Sequence, residues 1–163
     1  MGIVRGGNLG GRKWNRGGSK RRKNYITIDW LAFAEYAEKL DRLGADMQKI
    51  LTESMEKAGT KVQADVRDAV AKPNLPAKGE YSNGDTERSI LEAKVLWHGS
   101  LGEMNLGFDK SVAGAGGFLI TGTPKMAPDY ALAQIFTQKS YEKNIKDEIK
   151  KDLQREIDRI MGR

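Results

Sequence analysis

The spacing of apolar positions changes along the chain, and each change marks an element. From Trp30 to Leu43, the apolar residues Trp30, Phe33, Ala34, Ala37 and Leu40 recur at steps of three and four. That spacing lines one face of a helix. Asp29 stands at its N-cap position, and Gly44 interrupts the pattern. A second stripe, Met47, Ile50, Leu51, Met55, Ala58, Val62, Val66, Ala69 and Val70, predicts one long helix from about Ala45 to Ala71. Gly59 sits inside it, at about 1 kcal/mol relative to alanine, and predicts either a close approach or a kink.

Pro73 and Pro76 end this helix. Lys72 to Glu87 then shows no period over about sixteen residues. Loops beyond roughly 12–15 residues in a compact domain are usually functional or disordered, and this one is expected to order against a neighbouring subunit. A period of two follows. Leu91, Ala93, Val95 and Trp97 alternate with Glu92, Lys94 and Leu96, which predicts a half-buried strand over 88–97. Gly99-Ser100 offers a hairpin turn. Met104, Leu106 and Phe108 alternate with Glu103, Asn105 and Gly107 as the returning strand. Phe118 to Thr121 reads as a third, short buried strand, and Tyr25 to Ile28 as a short extended segment.

Pro124 and Pro128 prevent any regular element from running through Gly122-Thr123-Pro124-Lys125-Met126-Ala127-Pro128. Pro128 suits a helix start. The final helix is expected from about Asp129 to Met161, with Ile145, Ile149, Leu153, Ile157 and Ile160 among charged residues and a break near Asn144. The order predicts an α+β fold: a small antiparallel sheet packed by a long central helix and a long C-terminal helix.

Charge divides the chain into two parts. Of 28 basic residues, eight lie in positions 1–28 (Arg5, Arg12, Lys13, Arg16, Lys20, Arg21, Arg22 and Lys23), with no acid among them. The other 20 face 22 acidic residues, so the net charge of +6 becomes −2 for the rest of the chain. Seven of the first eighteen residues are glycine. Residues 1–24 therefore read as a disordered basic arm, and residues 25–163 as a single α+β domain. Trp14 is the one large aromatic within the arm. Basic residues around an aromatic can bind nucleic acid. The same composition also fits a tail that threads along an acidic neighbour, or one that only solubilises.

The 163 residues contain no cysteine, which excludes a disulfide framework or a thiolate metal site. No apolar run is long enough to span a bilayer. Basic residues near the start have no apolar segment behind them, unlike a secretory signal. Gly6 replaces the Ser or Thr that a myristoylation signal needs. The composition suits a soluble intracellular protein without membrane contact.

Candidate chemistry is sparse. His98 is the sole histidine, too few for a His-rich zinc site, and is expected to be exposed or hydrogen-bonded. Asp85 and Glu87 are close enough to consider for magnesium or acid–base work. They lie between a turn and a strand, where polar residues are expected anyway. Gly114-Ala115-Gly116-Gly117 lacks the following Lys-Ser or Lys-Thr of a phosphate loop and leads into an expected strand. No catalytic constellation, cofactor or metal is expected.

Two motifs carry a resemblance. Asp85-Thr86-Glu87-Arg88-Ser89-Ile90 is similar to an Asp-Thr-Gly-x-Leu-x-x-Ser-Ile-like motif at Asp85, Thr86, Arg88, Ser89 and Ile90, but has Glu87 in place of glycine and lacks the usual spacing before Ser-Ile. Phe118, Gly122, Thr123, Pro124, Met126, Pro128 and Tyr130 fill a second pattern: an aromatic-led strand, Gly-Thr, a short proline crossing and an aromatic entering the last helix. Over about residues 45–163 the chain resembles the tail-completion and head–tail joining proteins of long-tailed bacteriophages. The resemblance implies a non-enzymatic structural virion protein of the neck, assembled as a homo-oligomeric, commonly six-fold ring. It would touch head-closure or connector proteins and tail-terminator or tail-tube proteins, and would reside in the host cytoplasm during assembly. Arg12, Lys13, Trp14, Arg16, Lys20, Arg21, Arg22 and Lys23 of the arm, with Pro76, Tyr81, Asp85, Thr123 and Lys125, are the candidate partner-binding residues. The alternative is a nucleic-acid-binding protein that uses the arm. The acidic body argues against it, because binding modules usually carry basic charge on the fold itself.

Overall fold

The computed structural model describes residues 25–71, 84–112 and 115–162. The arm and most of the aperiodic loop, including Pro76 and Tyr81, lie outside them. The described chain is α+β, as its periodicity predicts. Strand β1 (Tyr25–Asp29) leads through a 3-10 turn (Trp30–Phe33) into α1 (Ala34–Arg42). Helix α2 (Met47–Ala69) follows, then a single helical turn, α3 (Asp85–Arg88). Strands β2 (Val95–His98) and β3 (Leu101–Gly107) form a hairpin around Gly99-Ser100. Helices α4 (Ala115–Thr121), α5 (Tyr130–Thr137) and α6 (Lys139–Ile160) complete the order.

The sheet order is β1-β3-β2, antiparallel throughout. Ile26 pairs with Leu106 and Ile28 with Met104 on one face, joined there by Val95. All five are buried, and α2 packs across this face. The α2 stripe behaves as its spacing requires: Leu51, Met55, Ala58, Val62, Val66 and Ala69 are buried. Asp46 starts the helix by accepting a hydrogen bond from Lys49 N–H at 3.0 Å. Gly59 marks a close approach. A Cβ there would lie 2.6 Å from Met104 Sδ and 2.9 Å from Ala93 Cβ, so the helix meets the sheet at this point. Ile145, Ile149, Leu153 and Ile157 of α6 are buried and pack along α2 and α1, while Ile160 is exposed. One apolar cluster unites all the major elements.

Four expectations change. Phe118 to Thr121 is the end of helix α4, not a strand. Gly116, Gly117, Leu119 and Ile120 are buried while Ala115 and Phe118 are exposed, a period near three. Three consecutive apolar residues could not disclose it. The third strand is instead β1, whose partner lies 78 residues later, as the Thr27 to Asn105 hydrogen bond illustrates. The expected 88–97 strand is regular only from Val95. Before it, Ile90 bridges Phe108 while Val95 pairs with Met104. Five steps on one strand thus match four on the other, which defines a bulge. Finally, the helical break falls at Gln138, which is extended (φ −89°, ψ 120°), and not at Asn144, which lies inside α6. The break turns the apolar stripe: Phe136 approaches Phe108, while Ile145 and Ile149 join the core beneath α2 and α1. At a smaller scale, Asp29 occupies its cap position but makes no side-chain cap bond.

Candidate functional site

The first motif stretch meets the flanks of the second at Phe108. From the first stretch, Ser89 turns inward, is buried, and donates through Oγ to Thr86 C=O at 2.7 Å. Its own carbonyl accepts from Asp109 N–H at 2.7 Å, and Ile90 forms the bridge to Phe108. Just before the second stretch, α4 lays Gly116 against the Phe108 ring, where a Cβ would sit 2.5 Å from Cγ. Phe136 of α5 tilts against the same ring, with centroids 6.0 Å apart. Asp85, the first residue of α3, is ion-paired with Arg88.

The Gly-Thr-Pro segment is a tight turn. Gly122 has φ +73°, and a Cβ there would meet Met126 O and Pro128 Cδ at 2.8 Å. Only glycine combines that conformation with that approach. Thr123 N–H donates to Met126 C=O at 2.7 Å, and Thr123 Oγ1 accepts from Lys125 N–H at 3.2 Å. Pro124 and Lys125 project as its exposed tip. Asp129 N–H donates back to Leu119 C=O at 2.7 Å, while its carboxylate accepts from Leu132 N–H at 2.9 Å and caps α5. Tyr130, the first residue of α5, is 76% exposed.

The second surface is the outer face of the sheet. Strand alternation places Tyr25, Thr27, Asp29, Leu96, His98, Leu101, Glu103 and Asn105 there, opposite the face under α2. Tyr25 is 42% exposed, Leu96 51% and Leu101 41%, where a covered sheet would hide them. At the bulged end, Tyr25, Leu91, Leu96 and Phe108 line a groove of about 550 Å³ with Glu92, Lys94, Asn105, Asp109 and Lys110 around it. The Asp109 carboxylate is held below its usual range by hydrogen bonds from Ser111, through Oγ at 2.7 Å and N–H at 2.8 Å.

The opposite side of the molecule is polar and self-satisfied. Lys57 bridges to Asp152 at 2.8 Å, and Lys61 pairs with Glu148, tying α2 to α6. Tyr141 Oη donates to Asp65 at 2.5 Å. Burial, and then that carboxylate, push the Tyr141 phenol above its ordinary range. His98 is exposed at the hairpin. The glycines after Gly114 open a helix where a strand was expected, and Gly116 faces an aromatic ring. Among the described residues, no group of three or more His, Cys, Asp or Glu side chains is placed to hold a metal ion. No described helix is long and apolar enough to cross a membrane.

Of the sequence-chosen partner residues, Asp85, Thr123 and Lys125 fall within the described residues; Asp85 lies in the stretch whose Ile90 bridges Phe108, while Thr123 and Lys125 lie in the turn that follows α4. Arg12, Lys13, Trp14, Arg16, Lys20, Arg21, Arg22, Lys23, Pro76 and Tyr81 lie outside the described residues. Sequence reasoning did not single out Tyr25, Leu91, Leu96 and Leu101 as a surface. Leu96, apolar on the otherwise polar phase of its strand, was the available signal. Comparison with protein-family models, curated proteins and solved structures finds no match.

Proposed function

We propose that this chain is a structural virion protein of a bacteriophage head–tail joint. Copies of it assemble as a ring, six-fold by resemblance, between the head connector and the tail. The observation that carries this reading is the convergence at Phe108. Ser89 and Ile90 of the first resembling stretch pack there with Gly116 and Phe136, which flank the second stretch on either side. Such motifs specify a shape, as a ring subunit requires. The bare sheet face with Tyr25, Leu96 and Leu101 supplies an apolar surface for contact between subunits or with the rings above and below.

Electron microscopy and light scattering of the purified full chain test the proposal. Closed rings, alone or with connector and tail-terminator partners, are the expected outcome. A monomer or dimer that binds DNA in a salt-sensitive manner, and never forms rings with those partners, would replace it with the nucleic-acid-binding reading.

A further inference from the structure

We propose that the groove on the outer sheet face receives the basic arm of a second copy of this chain, with Trp14 as its anchor. The inference deepens the ring reading and rests on it. The groove offers an apolar floor: Tyr25, Leu91 and Leu96 line it over the buried Phe108, beside the bulge before Val95. At the groove itself Glu92 and Asp109 balance Lys94 and Lys110, and the acidic excess comes from Asp29 and Glu103 farther along the same outer face, where a cationic chain leaving the groove would run. Residues 1–24 have the matching chemistry: eight basic residues, no acid, and a single aromatic side chain.

Its point of attachment favours a neighbour's groove. The arm joins the body at Tyr25, which is itself a wall of the groove. Docking at home would force it to double back within the short stretch between Trp14 and Tyr25. Extended, that stretch reaches about 35 Å at ~3.3–3.6 Å per residue. A folded body of this size has a radius of gyration of about 14 Å, so an adjacent subunit lies within range. Tryptophan is a common interface anchor, and the glycines on either side let the backbone approach closely.

The absence of cysteine gives a clean test. Asn15→Cys in the arm and Lys94→Cys at the groove rim leave both Trp14 and the apolar walls intact. The two single variants are mixed and oxidised mildly. A disulfide between different chains is expected, with little bond to a control cysteine at the exposed Glu38 on α1. Trp14→Ala in the Asn15→Cys background should lower the cross-linked yield about tenfold, as for loss of an interface anchor. No bond to Lys94→Cys, equal bonding to the control, or a bond only within a chain carrying both cysteines overturns the proposal. An arm that holds nucleic acid instead would give the first of these results. Rings without the cross-link sink only the docking; a cross-link confined to dimers sinks only the ring.

Discussion

Gly116 and Phe108 form the tightest contact at the junction. A methyl group on Gly116 would reach both the ring and Cβ of Phe108, at 2.5 Å and 2.9 Å. Phe108 is buried and held by Phe136, so it has little room to move. Gly116→Ala would gain helix propensity of about 1 kcal/mol but overpack the core by about 1–3 kcal/mol. The net expectation is destabilisation, read as a lower urea midpoint with an unchanged slope. Tyr141 gives a different signature. Its phenol binds its proton more tightly in the folded state than in the unfolded state. The resulting stability is complete below the unfolded pKa of about 10 and is lost as pH rises from there through the raised folded value. Tyr141→Phe should therefore unfold with a shallower loss of stability above about pH 10 than the parent, measured by denaturant midpoints across that range. Equal slopes would refute this.

At the scale of elements, α2 grips β2 through side chains as well as through the core. Glu56 accepts from Val95 N–H at 3.0 Å, and Thr52 Oγ1 accepts from Trp97 Nε1–H at 2.9 Å. The first bond occupies a backbone donor where the ladder is interrupted by the bulge. Glu56→Ala should remove roughly 1–3 kcal/mol, and amide exchange should accelerate most at Val95. Uniform acceleration through the core would instead mean a global effect. Element by element, legibility followed periodicity. Helix α2 and the buried half of α6 were readable because their stripes span many turns. The α4 helix was hidden because Gly116 and Gly117 carry no side-chain pattern, and the close approach of Gly116 to Phe108 is a tertiary contact that the sequence does not show. The β1 segment was visible as extended, but pattern alone does not reveal a partner so distant in sequence. The bare face depends on that pairing, so of the candidate surface only Leu96 left a trace.

At the scale of the whole molecule, the described residues pack around one apolar cluster, and the basic excess lies in residues 1–24. Deleting residues 2–23 removes all eight basic residues of the arm and takes the net charge from +6 to −2. The shortened chain is expected to keep the parent's thermal midpoint and far-ultraviolet spectrum while forming rings less readily, with less dependence on salt. A lower midpoint would mean that the arm also stabilises its own body. Ring formation equal to the parent's would mean that the arm takes no part in assembly.

The order β1-β3-β2 also has a consequence for synthesis. The strand at Tyr25–Asp29 is among the first parts of the body to be translated, yet among the described residues its only partner in the sheet is β3. Asn105 follows Thr27 by 78 residues, so at about 5–20 residues per second the ribosome needs roughly 4–16 s to make it. During that interval Ile26 and Ile28 have no ladder to join. The β2–β3 hairpin can form as soon as it emerges, but β1 must wait for it. The body therefore closes from its later part onto its earliest strand. Nascent chains stalled before Leu101 should present that strand to chaperones, and those stalled well past Gly107 should have withdrawn it.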